Sequence, residues 1–328
     1  MKIMLDKVRV YFMGAGEVAV PILLRLANSD IIELCGIATQ VDKEAGRKKV
    51  LTATPVAKIA DLMGMSIEKV PSVNDPEFVA KLAAMDLDFI VVVSFGQFLK
   101  KEILELPRYR CINIHTSILP KYRGASPIIS TLLNRDHYAG VSFMEMDLSM
   151  DTGAIYQCIE IPVEADDTAL SLENRLGQMA ANHVDRVLLD IKTGHLTPTL
   201  QDNSKATYCS KIKKQMGLVD WAKHESEDIE AMVRAFTPWP NASVILPMAN
   251  GKMLQVTVNR CRIDKEKSGI KGNPQVLGAD KNGIFISCVD GGVIEILELT
   301  IPGKKMMKAN EFVNGYHLAV GKGLIDNE

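Results

Sequence analysis

The chain has 328 residues, of which 47% are hydrophobic and 24% are charged, and its formal net charge is −2. This composition is typical of a globular protein, and the length predicts two domains. The near-zero charge excludes a chain that is basic throughout, and the apolar runs are far too short to cross a membrane as helices.

Strand-like and helix-like runs alternate through about the first 190 residues, which is the pattern of a doubly wound α/β sheet. Strands are predicted at 8–13, 31–38, near 67, 89–93, 111–115 and 140–147, and helices at 18–27, 54–63, 76–85, 126–133 and 170–191. The apolar run at 89–93 is typical of a central strand that is covered on both faces. The sequence therefore predicts a doubly wound, mainly parallel sheet.

A different pattern follows a polar connector. After a predicted helix at 226–236, turn signals stand at Asn250-Gly251, at Asn282-Gly283 and at 290–292, between short strand-like runs. Such turns predict antiparallel hairpins and a small OB-like barrel. We expect a catalytic domain at 1–194, a linker at 195–212 and the barrel at 213–328.

The six cysteines form no C-x-x-C pair and no cluster with metal-ligand spacing. They are typical of small apolar core residues in a reducing compartment. The first apolar run, at 8–13, is too short for a signal peptide. We expect a cytosolic monomer without a metal.

A polar cluster follows two predicted strands. Asn113 and His115 alternate with isoleucines, so both side chains point to one face of their strand. Asp151 lies in an acidic, glycine-marked turn after the next strand. Because reactive groups gather at the carboxyl ends of parallel strands, we expect the three side chains to meet at one edge of the sheet.

These residues belong to a longer signature. It comprises Asn113-x-His115, Ser117-Ile118-Leu119-Pro120, Arg123-Gly124-Ala125-Ser126-Pro127, Asp151-Thr152-Gly153, Phe236-Thr237-Pro238-Trp239-Pro240 and Pro302-Gly303-Lys304-Lys305-Met306-Met307. The signature covers nearly the whole chain. It resembles that of the formyltransferases that use 10-formyltetrahydrofolate, especially members that formylate methionyl initiator tRNA.

The resemblance implies transfer of a formyl group from N10 of the folate to an amine. Asn113 and His115 would donate hydrogen bonds to the tetrahedral oxyanion, and Asp151 would accept a proton. The folate contacts that it implies are Ser117, Ile118, Leu119 and Pro120, then Phe95, Gly96, Gln97, Phe98 and Leu99, and finally Asp147. Taken one by one, a buried histidine or an aspartate in a turn is more often structural.

Lysines and arginines would contact the RNA. The loop at 40–49 resembles the family's tRNA-contacting loop, although a charged loop is usually just solvated. Positive charges also outnumber negative ones after Lys205. The predicted tRNA contacts are Lys43, Arg47, Lys48, Lys49, Lys213, Lys214, Lys304 and Lys305.

Three alternatives remain open. Formyltransferases that act on amino-sugar nucleotides share the same site, so the acceptor has to be identified from other parts of the chain. A non-catalytic RNA-binding protein could keep an old site. Gly14-x-Gly16-x-x-Ala19 fits the dinucleotide-binding pattern of dehydrogenases, although no acidic residue ends the second strand.

Overall fold

The structure is a computed structural model that describes residues 6–45, 49–280 and 282–325. The chain divides into two compact units. Unit 1 comprises Met1–Pro127, His137–Val163 and Ser171–Cys209, and unit 2 comprises Ile128–Asp136, Glu164–Leu170 and Ser210–Glu328. In the described ranges, no helix is long and apolar enough to span a bilayer. The domain boundaries and linker expected above stay predictions.

The elements up to Cys209 are a mixture of strands and helices. They are β1 (Val8–Gly14), α1 (Ala19–Ala27), β2 (Ile32–Gln40), β3 (Lys43–Ala45), β4 (Val50–Thr52), α2 (Pro55–Leu62), β5 (Glu68–Val70), α3 (Pro76–Ala83), β6 (Phe89–Val93), α4 (Lys101–Leu104), β7 (Arg110–His115), β8 (Arg123–Gly124), α5 (Pro127–Leu133), β9 (Tyr138–Glu145), β10 (Ile155–Pro162), α6 (Ala169–Lys192) and β11 (Tyr208–Cys209).

The later elements are mostly short strands. They are α7 (Ser226–Ala235), β12 (Ala242–Pro247), β13 (Met253–Asp264), β14 (Gln275–Ala279), β15 (Ile284–Ser287), β16 (Val293–Thr300), β17 (Met307–Lys308) and α8 (Ala309–Gly315).

Local sequence explains where several helices begin. The side chain of Thr54 accepts a hydrogen bond from the amide of Ala57, and that of Asp75 accepts one from Glu77, both at 3.0 Å. Each cap is followed by a proline, whose missing N–H and fixed φ suit the first helical position. α7 has Glu225 at its N-cap position, and Ser226, its first residue, donates hydrogen bonds to Asp290.

In unit 1, the main sheet has the strand order β10-β9-β7-β6-β1-β2-β5. The five strands from β7 to β5 run parallel. The chain extends from β1 to β2 and β5 on one side and then returns to β6 and β7 on the other. In such sheets ligands bind at the carboxyl ends of the strands where the order switches, which here is between β1 and β6. The predicted doubly wound α/β fold is confirmed.

The second site strand runs in an unexpected direction. β9 pairs antiparallel with β7, so that His115 lies opposite Ser142 and Ile112 lies opposite Glu145. The expectation that both site strands end at the same edge is therefore wrong. A short helix between two strands suggested a parallel crossover, but α5 does not return the chain to the same edge.

The core of unit 1 lies on both faces of the sheet. Every residue of β6 is buried, as expected for the central strand. One face of the sheet packs against α3 and α4, through Tyr11 and Phe78 among others. On α6, Gly177 touches α1 so closely that an added Cβ would lie 3.0 Å from Pro21.

Unit 2 contains an antiparallel sheet in the order β12-β13-β16-β15-β14, and β17 pairs with β16. The turns at Asn250-Gly251, at Asn282-Gly283 and at 290–292 connect its strands, as the sequence predicted. The sheet encloses a core that includes Trp221, Phe236 and Phe312. This is the expected OB-like barrel in its half-barrel form.

Candidate active site

The end of β7 presents two polar side chains on one face. Asn113 lies beside Val92 of β6 and Met144 of β9, and His115 lies two residues further along the strand. Ile112 and Ile114 are buried on the opposite face. The alternation of side chains along a strand therefore places the amide and the imidazole side by side at the carboxyl edge of β7.

Asp151 reaches the same place from the turn between β9 and β10. Its Oδ1 lies 3.4 Å from Asn113 Nδ2 and 3.8 Å from His115 Nδ1. Its Oδ2 accepts a hydrogen bond of 2.8 Å from the backbone N–H of Gly124. The three side chains thus meet as expected, although the strand geometry that brings Asp151 there was not predicted.

His115 is held in one orientation. It is nine-tenths buried, and its Nε2 lies 3.0 Å from the carbonyl oxygen of Tyr122. Because a carbonyl oxygen can only accept, Nε2 carries a proton. Nδ1 is therefore the atom that faces Asp151, with a lone pair in the neutral ring and an N–H in the charged ring.

The turn that carries Asp151 is tightly constrained. Asp151 has a φ of +56°, in the left-handed region that residues with a Cβ seldom adopt. A Cβ on Gly153 would lie 1.9 Å from the carbonyl oxygen of Glu145, so the turn closes against the end of β9. Gln201 Nε2 donates to the carbonyl oxygens of Asp151 and Gly153, at 2.9 and 2.7 Å.

Two residues of the short strand β8 extend these contacts. Arg123 is buried and donates through Nε and Nη2 to Gln201 Oε1, at 3.1 and 2.7 Å. Gly124 has a φ of +126°, and a Cβ there would lie 2.1 Å from the carbonyl oxygen of Cys209 on β11. β8 and β11 pair in parallel, so residues near the end of unit 1 build part of the site.

Two family profiles match the chain. The profile described as formyl transferase matches residues 6–188, and the profile described as formyl transferase, C-terminal domain, matches residues 211–317. The chain belongs to the formyl transferase family.

Relatives that are similar over almost their whole length support this assignment. The methionyl-tRNA formyltransferase of Halothermothrix orenii is 36% identical over 318 residues, covering 96% of this chain and 99% of the relative. The methionyl-tRNA formyltransferase of Geobacter metallireducens is 37% identical over 314 residues, covering 95% of this chain and 97% of the relative.

Solved structures show the same fold. WlaRD, a sugar 3N-formyl transferase solved in the presence of dTDP and 5-N-formyl-THF, matches with a TM-score of 0.61 and 21% identity, covering 92% of this chain and 100% of WlaRD. HypX from Aquifex aeolicus, in complex with tetrahydrofolic acid, matches with a TM-score of 0.57 and 16% identity. This match covers 95% of this chain and 47% of HypX, so the chain spans about half of that protein.

In this formyl transferase, the loop after β7 is fixed by β9. Ser117 donates through Oγ to the carbonyl oxygen of Lys121 at 2.6 Å. Ser142 donates to the carbonyl oxygen of Ser117 and accepts from the amide of Leu119, at 2.8 and 3.1 Å. Ile118 packs against Gly140, where an added Cβ would lie 2.7 Å from it. Ser117 and Leu119 are buried, whereas Ile118 and Pro120 are partly exposed.

The predicted folate loop at 95–99 follows β6. Phe95 and Leu99 are buried in the core of unit 1, and Phe98 is two-thirds exposed. Gly96 has a φ of +71°, and a Cβ there would lie 2.6 Å from Gln40 Nε2. Gln97 accepts from the amide of Val73 and donates to the carbonyl oxygen of Val70.

Asp147, the remaining predicted folate contact, lies in the exposed turn after β9. Its carboxylate accepts hydrogen bonds from the hydroxyl of Thr152 and from the amide of Ser149. These bonds tie Asp147 to the residue that follows Asp151, so its observed contacts support the turn.

The predicted RNA contacts lie in separate segments. Where a loop was expected at 40–49, β3 pairs antiparallel with β4, Lys43 hydrogen-bonds Gln40, and Lys49 Nζ lies 3.8 Å from a Glu44 oxygen. Arg47 and Lys48 lie outside the described residues. In unit 2, all four predicted lysines are exposed, and they are Lys213, Lys214, Lys304 and Lys305. Lys304 donates to the hydroxyl of Tyr316 at 2.5 Å.

The glycine turn after β1 does not suit a pyrophosphate. The amide of Val18, at the start of α1, donates to a Glu173 carboxylate oxygen at 3.3 Å. Burial raises the pKa of Glu173, and the nearby Glu17 raises it further, while the bond from Val18 lowers it. Since a carboxylate already lies where a dinucleotide phosphate would bind, the dehydrogenase alternative loses its support.

Sequence reasoning missed three contributors to the site, which are Gln201, Asn203 and Ser142. Ser142 carried a signal, because it is a lone hydroxyl between the apolar residues Val141 and Phe143. Gln201 and Asn203 lie in a polar connector with no periodic pattern, so their contacts could not be found locally. Among the described residues, no group of His, Cys, Asp and Glu side chains could hold a metal ion.

Proposed function

We propose that the protein transfers the formyl group of 10-formyltetrahydrofolate to the amino group of methionyl initiator tRNA. The relatives with about a third of their residues identical over nearly the whole chain carry the name methionyl-tRNA formyltransferase. The structures of HypX and WlaRD contain tetrahydrofolic acid and 5-N-formyl-THF. These names and ligands support a folate donor and an aminoacyl-tRNA acceptor for this chain.

The convergence of Asn113 Nδ2, His115 Nδ1 and Asp151 Oδ1 carries the proposal. When the amine attacks the formyl carbon, a C–N bond forms and the formyl oxygen becomes an oxyanion. An amide nitrogen has two N–H groups, so Asn113 can hold Asp151 with one and donate the other to the oxyanion. A protonated His115 adds a second donor through Nδ1.

Proton transfer completes the reaction. The attacking amine becomes an ammonium, which must lose a proton, and N10 must gain one as its bond to the formyl carbon breaks. Asp151 can serve both steps, directly or through a water molecule. Because Oδ2 accepts from the amide of Gly124, Oδ1 is the oxygen that takes up and returns the proton. The products are a formamide and tetrahydrofolate.

The remaining predicted contacts belong to this proposal. The folate would bind against the loops at 95–99 and 117–120 and near Asp147, where Ile118, Pro120 and Phe98 keep accessible apolar surface. The tRNA would contact Lys43, Arg47, Lys48 and Lys49 with one region, and Lys213, Lys214, Lys304 and Lys305 with another. The cytosolic location and the monomeric state also stay predictions.

An amino-sugar nucleotide is the second candidate acceptor, and the fold of WlaRD favours it. The two acceptors can be compared in one assay with the same folate donor. We expect transfer to charged methionyl initiator tRNA and none to an amino-sugar nucleotide. Faster transfer to the amino-sugar nucleotide than to methionyl initiator tRNA would contradict the proposal.

Ionic strength provides an independent measurement. Because RNA binding releases counterions, the apparent affinity for methionyl-tRNA should fall steeply with salt, whereas donor turnover at saturating tRNA should change little. Replacing both Lys213 and Lys214 with alanine should weaken tRNA binding and reduce its salt dependence. Lys271→Ala, at another exposed lysine of unit 2, is the matched control and should leave both unchanged.

A further inference from the structure

The turn that carries Asp151 has a less common backbone conformation. Its φ of +56° lies in the left-handed region, which costs a residue with a Cβ about 1–2 kcal/mol, although aspartate occurs there more often than most. The carbonyl oxygens of Asp151 and Gly153, on either side of Thr152, both point at Gln201 Nε2. One side-chain amide therefore bridges the turn and holds its backbone.

The orientation of that amide is set by Arg123. A guanidinium only donates hydrogen bonds, so the oxygen of Gln201 must face Arg123 and the NH₂ group must face the turn. Arg123 Nη2 also donates to Asn203 Oδ1 at 2.8 Å. The contacts thus form one chain, from the guanidinium through the amide of Gln201 to the backbone of Asp151.

The burial of Arg123 indicates that this series of hydrogen bonds has a functional role. Only 2% of its surface is exposed, and its side-chain acceptors are the neutral amide oxygens of Gln201 and Asn203. Within the described part of the chain, no carboxylate forms an ion pair with it. Burying a cation against neutral groups is unfavourable, so a stable fold alone gives no reason to keep one here. A charged donor does, however, polarise the amide and strengthen its N–H groups as donors.

Gly124, the residue after Arg123, fixes the carboxylate of Asp151. The N–H of Gly124 holds Oδ2, while the side chain of Arg123 acts on the backbone through Gln201. Consecutive residues of β8 thus hold the carboxylate and the main chain of Asp151. With both fixed, Oδ1 is the oxygen left to face Asn113 and His115.

We propose that Gln201, oriented by the buried Arg123, is a positioning residue that directs Asp151 Oδ1 toward Asn113 and His115. The proposal rests on the proposed function in one respect, which is that Asp151 moves protons during formyl transfer. It does not depend on which amine accepts the formyl group, because the same carboxylate serves either acceptor.

Gln201→Glu separates positioning from packing. The glutamate keeps the size of the side chain and pairs with Arg123, so the variant should melt at or above the wild-type temperature. It loses both N–H donors and places a carboxylate against the carbonyl oxygens of Asp151 and Gly153. We expect kcat to fall by about 10²-fold, as for a small misplacement of a reacting group, with KM for donor and acceptor changed less than about threefold.

A second variant and a control complete the kinetic test. Gln201→Met has a similar length and no hydrogen bonds to the turn, and its kcat should fall as well. Gln178→Glu makes the same charge change on an exposed face of α6 and should retain wild-type kcat. Wild-type kcat in either folded Gln201 variant would overturn the proposal.

Crystal structures of wild type and Gln201→Glu test the positioning without any transfer reaction. In the variant, Asp151 should leave its left-handed conformation and Oδ1 should move out of reach of Asn113. An unchanged Asp151 in the variant overturns the positioning role. If the wild-type protein formylates no methionyl-tRNA, the proposed function fails, and these structures still decide the role of Gln201.

Discussion

The two oxygens of Asp151 have different tasks, and so do the two nitrogens of His115. In each side chain one polar atom contacts the backbone, Gly124 for Asp151 and Tyr122 for His115. The other atom faces the site. This division explains how a partly buried aspartate and a buried histidine can be both rigid and available for chemistry, since fixed groups need no reorganisation when charge develops.

Glu173 is a carboxylate for which the structure predicts an effect on stability. Burial raises its pKa above the ordinary value of a glutamate, so the folded protein still holds this proton at pH values where the unfolded chain has released it. In that pH range the native state binds more protons than the unfolded state. The contribution of Glu173 to the free energy of unfolding therefore declines as the pH rises through this range. Glu173→Gln keeps an acceptor for Val18 and removes this decline.

We therefore expect Glu173→Gln to become more stable relative to wild type as pH rises from 4 to 7. The midpoint of urea unfolding at several pH values measures this difference. Glu102→Gln, at an exposed glutamate of α4, is the control and should follow wild type at every pH. A difference for Glu173→Gln that shrinks toward neutral pH would contradict the assigned cause.

Among the elements, the pair β8–β11 has more influence on the site than its length suggests. It is a two-residue pairing, yet Tyr122, Arg123 and Gly124 contact His115, Gln201 and Asp151 in turn. The close approach of Gly124 to Cys209 makes this pairing sensitive to a single methyl group. The β8–β11 pairing aligns the residues of the site, whereas the larger elements of the core provide stability.

Gly124→Ala should therefore disturb both fold and function. Its Cβ would overlap the carbonyl oxygen of Cys209, and its φ of +126° is unfavourable for alanine. We expect a loss of stability of about 1–3 kcal/mol or more, together with a large fall in transfer rate. Gly64→Ala is the control, because Gly64 has a φ of +66° but nothing within 4 Å of its added Cβ.

The control should lose about 1–2 kcal/mol of stability from backbone strain alone and keep its activity. Denaturant unfolding and initial rates of formyl transfer measure the two effects for both variants. Equal activity in Gly124→Ala and wild type would show that the β8–β11 pairing does not align the site.

For the molecule as a whole, the sequence was most informative where local patterns determine structure. The apolar run of β6, the alternation along β7 and the Asn-Gly turns of unit 2 all predicted elements that are present. Each of these patterns reflects a local preference for burial or for a turn geometry. The placement of Asn113 and His115 side by side followed from the alternation along β7, whereas Asp151 was expected there on the basis of a parallel strand that the structure does not have.

Long-range geometry explains what could not be predicted. The direction of β9 depends on which edge of the sheet is open, and the strand's own residues do not encode it. The bridge from Gln201 to Asp151 joins residues 50 positions apart through a connector without periodicity. The antiparallel pairing of β3 with β4 involves Lys43 and Glu44 of a charged segment, where a solvated loop was the simpler expectation.

The three converging side chains are the basis of the proposed reaction, and single-turnover formyl transfer by His115→Ala tests them. With saturating 10-formyltetrahydrofolate and methionyl initiator tRNA, the rate constant should fall by about 10²–10³-fold, as expected when one oxyanion donor is lost. Circular dichroism should show an unchanged fold. A folded His115→Ala protein that transfers the formyl group at a rate near that of wild type would contradict the role assigned to this site.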